Sequence, residues 1–557
     1  MTAEQSDPVL SVADLTVDFA TKNGRTPAVR SISFDVRPGE VVALVGESGS
    51  GKSVTSMSVL GLLPGNAQIG GHIVFGGQDL LTASPRQLEK VRGAGVAMIF
   101  QEPMTALNPV LSIGHQIVEA IRCHKPEIST SAARTRAVEL MTSVGIPDPA
   151  VRADHYPHQL SGGQRQRAMI AMALSCEPKL LIADEPTTAL DVTVQAEILE
   201  LLRHLRDRLS TAILLITHDM GVVADLADRV LVMRSGEIVE RADVNTLFGR
   251  PDHDYTKQLL ASVPRLTATP RGGQHPAAPI EEPTVADCYA LRVKNLVMEY
   301  GTKGRGRSFR ALDSVSFDIP RGHVLGLVGE SGSGKSTLGR IATGLLRPTS
   351  GSVEIVGTDI ARLPERKLRP LRTKFAMVFQ DPASSLNPRL NVLECVSEPI
   401  RLQKQRSGVD ARRRAYELLD MVGLPSQCAE RRPHELSGGQ RQRVGIARGI
   451  ALDPELLIAD EPTSALDVSV QAKVLELFAE LQRTLGFSCL FITHDLAVVE
   501  QLADGIAVLR HGRLVESGDT RSVLNHPRDE YTRNLILSAP IPDPAEQRSR
   551  RLALAGS

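Results

Sequence analysis

Short apolar runs that end in glycine are the first hydrophobic pattern along the chain. "VVALVG" (41–46) and "HVLGLVG" (323–329) have the length and continuity of buried strands. This pattern predicts strands in the interior of a parallel sheet. Each run leads through a glycine-rich loop into a helical pattern, so we expect helices that begin near Lys52 and Lys335.

Other segments alternate apolar and polar residues or follow a helical period. Alternation predicts antiparallel strands with one solvated face, and it occurs at 10–19, 30–36, 291–300 and 313–319. Helical spacing follows in "SIGHQIVEAIRC" (112–123) and "ARTRAVELMTSVG" (133–145). Each half is therefore predicted to be α/β, with a parallel-sheet core, an antiparallel β part and a helical insertion.

The two halves of the chain carry the same motifs in the same order. The repeated motifs are "GESGSGKS" (46–53 and 329–336), "FQEPMTALNP" with "FQDPASSLNP" (100–109 and 379–388), "LSGGQRQR" (160–167 and 436–443), "LLIADEPT" (180–187 and 456–463) and "ITHD" (216–219 and 492–495). A segment rich in proline and glycine separates them. We expect domains at 1–266 and 289–540, a linker at 267–288 and a C-terminal tail at 541–557.

Composition and charge narrow the classes of protein that fit. A length of 557 residues exceeds the size at which single cores stop growing, which is about 250–300 residues. Lys plus Arg equals Asp plus Glu at 64 each, which argues against a nucleic-acid-wrapping protein. No run reaches the roughly 18–20 apolar residues of a membrane span, and the N-terminus lacks a signal-peptide pattern. We expect a protein that stays on the cytosolic side.

The two glycine-rich loops are phosphate-binding loops by their spacing. In GxxxxGKS, between a strand and a helix, backbone N–H groups surround phosphate oxygens, and the lysine reaches the β- and γ-phosphates. The hydroxyls of Ser53 and Ser336 would ligate Mg²⁺. The predicted nucleotide-binding residues of the loops are Gly46, Ser48, Gly49, Ser50, Gly51, Lys52 and Ser53, then Gly329, Ser331, Gly332, Ser333, Gly334, Lys335, Ser336 and Thr337.

Acidic, histidine and glutamine side chains follow the other apolar runs. Asp184 and Asp460 are expected near Mg²⁺, and the adjacent Glu185 and Glu461 are expected to polarise the attacking water as general bases. Ligands collect at strand ends, so His218 and His494 are expected to contact the γ-phosphate or the attacking water. The neutral side-chain amides of Gln101 and Gln380 can reach Mg²⁺ or water from the remaining loops.

"LSGGQ" supplies a second anion-binding device in each half. A serine and two glycines ahead of a helical segment predict an exposed helix N-terminus, which attracts anions. One domain needs only one such device per nucleotide, so the second is expected to serve the other half, with the two halves packed head to tail. The residues of these turns are Ser161, Gly162, Gly163 and Gln164, then Ser437, Gly438, Gly439 and Gln440.

Together these motifs resemble the ATP-binding cassette (ABC) family, twice over and along nearly the whole chain. The resemblance implies ATP as the nucleotide, with Phe19 and Tyr300 stacked on adenine. "PHQLSGGQRQR", "PHELSGGQRQR", "DYTKQLLASVP" and "EYTRNLILSAP" are similar to ATPase subunits of dipeptide and oligopeptide importers. Such a subunit works at the cytoplasmic face of the bacterial inner membrane, with two permease subunits and an extracytoplasmic binding protein.

Other substrates and classes stay open at this point. The same importer group includes glutathione, nickel and opine systems, and a tandem ATPase that acts on ribosomes is the rival class. The short, proline-broken linker and the zero net charge speak against that rival. Many members of the importer group carry a cysteine-rich segment that in some holds an iron–sulfur cluster, whereas here only Cys288 lies near the linker. We therefore expect no cluster in this chain.

Overall fold

The computed structural model describes residues 7–21, 24–188, 190–267, 289–301, 309–381, 385–403, 408–464 and 466–555. Contacts divide the chain into two units. The first unit comprises Met1–Leu190, Val194–Val263 and Pro540–Gly556, and the second comprises Asp191–Thr193, Pro264–Ala539 and Ser557. The predicted linker at 267–288 lies outside the described residues except for Thr267. The domain boundaries drawn from the sequence stay predictions.

The first half of the chain contains ten strands and eleven helices among its described residues. The strands are β1 (Leu10–Thr21), β2 (Gly24–Val36), β3 (Val41–Val45), β4 (Ala67–Phe75), β5 (Gln78–Asp79), β6 (Val96–Ile99), β7 (Leu180–Asp184), β8 (Ala212–Ile216), β9 (Arg229–Arg234) and β10 (Glu237–Asp243). The helices are α1 (Lys52–Val59), α2 (Pro85–Val91), α3 (Pro103–Ala106), α4 (Ile113–His124), α5 (Thr130–Ser143), α6 (Pro149–Arg152), α7 (Gly162–Ala173), α8 (Val192–Leu209), α9 (Met220–Leu226), α10 (Val244–Gly249) and α11 (Asp254–Ala261).

The second half repeats this order. Its strands are β11 (Tyr289–Tyr300), β12 (Phe309–Pro320), β13 (Val324–Val328), β14 (Ser350–Ile355), β15 (Thr358–Asp359), β16 (Phe375–Val378), β17 (Leu456–Asp460), β18 (Ser488–Ile492), β19 (Gly505–Arg510) and β20 (Arg513–Asp519). Its helices are α12 (Lys335–Ala342), α13 (Glu365–Leu371), α14 (Val392–Leu402), α15 (Gly408–Met421), α16 (Gly438–Gly449), α17 (Val468–Leu485), α18 (Leu496–Leu502), α19 (Thr520–Asn525), α20 (Glu530–Ser538) and α21 (Pro544–Ala555).

A six-stranded sheet forms the core of each unit. Its strand order is β10-β9-β3-β8-β7-β6 in the first unit, and the second unit has the matching order β20-β19-β13-β18-β17-β16. All pairs are parallel except the edge pairs β9–β10 and β19–β20. Every residue of β3, β7 and β8 is buried, because helices cover both faces of a parallel sheet. The predicted parallel core is confirmed.

A separate antiparallel sheet and a group of helices complete each unit. The antiparallel sheets have the orders β2-β1-β4-β5 and β12-β11-β14-β15. Burial alternates along β1, as its sequence pattern predicts. α4 and α5 stand where the helical periods predict them, and they pack on one another and on α7. The α/β architecture expected from the sequence is therefore confirmed for each unit taken by itself.

The last segment of the chain packs within the first unit. α21 lies against α9 and α10. Arg551 forms an ion pair with Asp225 at 3.3 Å, and Arg203 pairs with the same carboxylate at 2.7 Å. A methyl group at Gly221 would lie 2.7 Å from Pro540, so only glycine fits this close approach. Residues that follow the second cassette along the chain thus cover the start of α9.

Across the described ranges, every helix is too short or too polar to cross a lipid bilayer.

Candidate functional site

Each phosphate loop joins the central strand of the parallel sheet to the helix that follows it. Lys52 Nζ donates hydrogen bonds to the carbonyl oxygens of Gly46 (2.7 Å) and Glu47 (2.8 Å). In the second unit, Lys335 Nζ contacts Gly329 O at 2.7 Å and Glu330 O at 2.9 Å. Burial lowers the pKa of Lys335, although nearby carboxylates oppose the shift. Both lysines are thus held inside their loops at the start of α1 and α12.

The loop serine meets the aspartate at the end of the neighbouring strand. Ser53 Oγ lies 3.3 Å from Asp184 Oδ1, and Ser336 Oγ lies 3.1 Å from Asp460 Oδ1. Burial raises the pKa of Asp184 to about 6, and the adjacent carboxylate of Glu185 adds to the shift. The pKa of Asp460 is raised for the same two reasons. A buried carboxylate that is costly to charge gains strongly from a cation beside it.

Glu185 receives hydrogen bonds from three side chains. Gln101 Nε2 donates to Oε2 at 2.7 Å, Thr188 Oγ1 donates to the same oxygen at 2.9 Å, and His218 Nδ1 lies 3.1 Å from Oε1. The backbone of Glu185 has a positive φ of 48°. Its N–H is tied to the carbonyl of Ile216 at 2.8 Å. Such a conformation costs a non-glycine residue about 1–3 kcal/mol, and it is maintained here by the strand next to it.

Glu461 has the same surroundings in the second unit. Gln380 Nε2 donates to its carboxylate at 2.9 Å, His494 Nδ1 lies 3.5 Å away, and its φ is 44°. One contact differs, because Ser464 Oγ donates to the backbone carbonyl of Glu461 and not to the carboxylate. The sequence motifs do not single out Thr188 as a site residue. Its only signal is a hydroxyl residue three positions after the glutamate.

Charge and burial compete at these carboxylates. Burial acts to raise the pKa of Glu185, yet the hydrogen bond and charge of His218, with Thr188 and Lys52, hold it below its usual value. The same balance, with His494 as the main partner, lowers the pKa of Glu461. Burial acts to lower the pKa of His494, but the bond to Glu461 raises it overall. Both glutamates are therefore ionised at neutral pH and able to accept a proton.

Each "LSGGQ" turn forms a local hydrogen-bond network of its own, and the network is the same in both units. Ser161 is the N-cap of α7 and accepts a hydrogen bond from Gln164 N, while Gln164 Oε1 accepts from Ser161 N. Ser437 and Gln440 make the same capping box at α16. Both serines are solvent-exposed. The structure thus groups the phosphate loop, carboxylates, glutamine and histidine of each unit, and it gives the signature serine its own capped helix start.

The two aromatic candidates for adenine lie at the ends of the antiparallel sheets. Phe19 pairs with Thr26 near the end of β1 and packs partly against the core. Tyr300 ends β11 opposite Phe309 and is 42% exposed. Both rings stay candidates for stacking on a base.

Within the described residues, His, Cys, Asp and Glu side chains nowhere gather in threes with the geometry of a metal site. Cys288 lies outside those residues, and the expectation that this chain holds no iron–sulfur cluster stays a prediction.

Comparisons with known proteins agree with this geometry. A family model described as ABC transporter matches residues 29–188 and 312–464, and one described as oligopeptide/dipeptide transporter, C-terminal region, matches 239–289 and 515–556. The chain is 44% identical over 611 residues to the oligopeptide transport ATP-binding protein OppD of Mycobacterium tuberculosis, covering 97% of this chain and 100% of the relative. It is 46% identical over 576 residues to the glutathione import ATP-binding protein GsiA of Escherichia coli, covering 98% and 92%. The chain therefore belongs to the ABC transporter family, as a two-cassette ATP-binding subunit whose ATP hydrolysis drives transport.

Proposed function

We propose that the chain powers an importer of dipeptides and oligopeptides. The observation that carries the proposal is the C-terminal region typical of oligopeptide and dipeptide transporters, which follows both cassettes at 239–289 and 515–556. The second candidate substrate is glutathione, favoured by the similarity to GsiA. Glutathione is itself a tripeptide, so both candidates are short peptides.

ATP binding is assigned to the phosphate loops. The N–H groups of residues 46–53 and 329–336 surround the phosphates, and Lys52 and Lys335 neutralise the β- and γ-phosphate oxygens. The rings of Phe19 and Tyr300 stack on adenine from the ends of β1 and β11. The signature turns add exposed helix N-termini, whose N–H groups attract the negative charge of the γ-phosphate.

A magnesium ion fits the oxygen-rich corner beside each loop. Ser53, Asp184 and the side-chain amide oxygen of Gln101 would hold the ion, directly or through water. Ser336, Asp460 and Gln380 would do so in the second unit. The fit rests on the serine hydroxyl lying 3.3 Å or 3.1 Å from a buried carboxylate, because oxygen donors and carboxylates are what Mg²⁺ selects. The ion supplies positive charge that offsets the charge on the transferred phosphoryl group.

Hydrolysis is assigned to Glu185 and Glu461 as general bases. Each carboxylate is ionised and takes a proton from the water that attacks the γ-phosphorus. The new P–O bond replaces the bond from that phosphorus to the β,γ-bridging oxygen, so ADP and phosphate are the products. Gln101 and His218 fix the orientation of the carboxylate of Glu185, at 2.7 and 3.1 Å. Gln380 and His494 do the same for Glu461. The histidines also lie at strand ends, where they contact the γ-phosphate or the water.

A cleft in the second unit is assigned to a membrane partner. A cavity of about 280 Å³ is lined by Phe379, Leu402, Arg372 and Glu398, among others. Phe379 is 37% and Leu402 is 60% exposed. An apolar floor with charged rims suits a short amphipathic helix of a permease subunit. Phe379 is adjacent to Gln380, so a bound helix lies one residue from a side chain that contacts Glu461.

The assembly that follows has this chain at the cytoplasmic face of the inner membrane, as a peripheral subunit. Two permease subunits form the pathway, and an extracytoplasmic binding protein delivers the peptide. Reconstitution into vesicles with the permeases and binding protein tests the function directly. ATP-dependent uptake of a labelled peptide supports the proposal, uptake of glutathione alone selects the second candidate, and co-purification with ribosomes and no permease refutes both.

The docking cleft has its own test. L402D should reduce co-purification of the permeases while ATP binding by the isolated chain is kept. L485D is the matched control, because Leu485 is also partly exposed, at 36%, but ends α17 and does not line the cavity. Equal losses for the two variants would remove the cleft from the interface.

A further inference from the structure

The C-terminal regions of both cassettes carry a buried tyrosine–threonine pair at the start of a helix. Tyr255 and Thr256 lie in the first turn of α11, which starts at Asp254. Tyr531 and Thr532 lie in the first turn of α20, which starts at Glu530. The tyrosines are only 5% and 6% exposed, and the threonines are 0% and 1% exposed. These helices belong to the segments matched by the transporter C-terminal model and not to those matched by the cassette model.

Each tyrosine hydroxyl reaches the phosphate loop of its own unit. The backbone N–H of Glu47 donates to Tyr255 Oη at 3.2 Å, and that of Glu330 donates to Tyr531 Oη at 3.1 Å. Burial raises the pKa of Tyr531 to about 12, so the hydroxyl stays neutral. The contact is therefore present in both units, with donor and acceptor atoms of the same kind.

The peptide that the tyrosine contacts also anchors the loop lysine. The N–H of Glu47 and the carbonyl of Gly46 belong to one planar peptide group. That carbonyl accepts from Lys52 Nζ at 2.7 Å, and the carbonyl of Gly329 accepts from Lys335 Nζ at the same distance. Rotation of this peptide plane would therefore break the hydrogen bond to the tyrosine hydroxyl and, at the same time, move the carbonyl oxygen that accepts from the lysine.

The end of a sheet strand also lies against this peptide. A methyl group at Gly46 would lie 2.1 Å from the carbonyl oxygen of Met233, near the end of β9. The next residue, Arg234, lies over the Tyr255 ring, with Cζ 4.9 Å from the ring centroid. The second unit repeats this arrangement, with Arg510 4.7 Å from the Tyr531 ring. The loop start is thus held between a strand end and a tyrosine.

We propose that Tyr255 and Tyr531 are positioning residues of the two ATP sites, through which the C-terminal region of each cassette holds the first peptide of the phosphate loop in the orientation that anchors the loop lysine. Pre-ordering the loop before ATP arrives reduces the entropy that binding must overcome. The inference rests on the proposed role of Lys52 and Lys335 in phosphate binding. It gives this C-terminal region a task in ATP binding.

The test isolates one site at a time in the full chain. K335A disables the second loop, so that ATP binding reports on the first loop, and the affinity is measured with and without Y255F. In the reciprocal experiment K52A disables the first loop, and the affinity of the second loop is measured with and without Y531F. We expect a Kd for ATP about fivefold higher in each tyrosine variant, the factor for losing one neutral hydrogen bond. We also expect faster amide hydrogen exchange in residues 46–53 or 329–336. Y416F, at a 38% exposed tyrosine of α15, is the matched control and should change neither quantity.

The outcomes separate the possibilities. A lower thermal midpoint with unchanged ATP Kd and unchanged loop exchange would mean that the tyrosines only pack, and the proposal is then wrong. If K335A still binds two ATP molecules per chain, the assigned role of the lysine has failed, and not that of the tyrosine. Should Y255F not fold, exchange in the unsubstituted chain decides: the Glu47 and Glu330 amides must be protected without nucleotide, and rapid exchange there overturns the proposal.

Discussion

Replacing both Glu185 and Glu461 with glutamine should remove ATP turnover and preserve ATP binding. A general base contributes about 10²–10⁴-fold to rate, so each cassette loses about 2.7–5.5 kcal/mol of transition-state stabilisation. Glutamine keeps the shape of the glutamate side chain and one of its two acceptor oxygens. The Glu185 side chain is only 14% exposed and is surrounded by hydrogen-bond donors. Exchanging charge-assisted bonds for neutral ones should therefore cost only about 1–2 kcal/mol of folding free energy.

Phosphate release under saturating ATP and equilibrium ATP binding are the two measurements. The double variant should bind two ATP molecules per chain and release phosphate at less than about one hundredth of the parental rate. A rate above one tenth of parental would refute the assignment of the base. Both single variants should reduce turnover, because both units have the glutamate, glutamine and histidine in contact. If E461Q alone abolished turnover and E185Q had no effect, the two sites would be functionally unequal.

Three further predictions concern site pairing, thiols and iron. If the ATP on one loop is closed by the signature of the other half, E185Q combined with S437R should reduce turnover little more than either change alone, whereas E185Q with S161R should remove nearly all turnover. Phosphate release measures this, or trapped nucleotide if the single variants are inactive. The opposite ranking of the two double variants contradicts that pairing. Alkylation near neutral pH should modify exposed Cys123 before Cys395, whose pKa burial raises to about 11, and mass spectrometry of the peptides checks the order. The purified protein should be colourless, and stoichiometric iron retained after gel filtration would overturn that expectation.

The elements set by local pattern could be predicted from the sequence. Continuous apolar runs define β3 and β13, and the GKS motif fixes helix starts at Lys52 and Lys335, because the preceding glycines adopt positive φ. The strand ends gather the carboxylates and histidines, since parallel strands present their carboxyl ends at one edge. The fold class and the family followed from these features.

Contacts between distant residues could not be predicted in this way. Tyr255 and Glu47 are 208 positions apart, and neither has a pattern that names the other. The positive φ of Glu185 arises from its tie to β8, which a strand-end motif does not encode.

The placement of residues 540–555 has a consequence for synthesis of the protein. A nascent chain leaves the ribosome with its N-terminus first, and N-terminal domains generally fold before C-terminal ones. The first unit departs from this order, because α9 and Asp225 receive Pro540 and Arg551 only after the second cassette has been synthesised. Until then, the helix that follows His218 has an uncovered surface. A nascent chain that stalls within the second cassette therefore leaves α9 of the first unit without the residues that cover it.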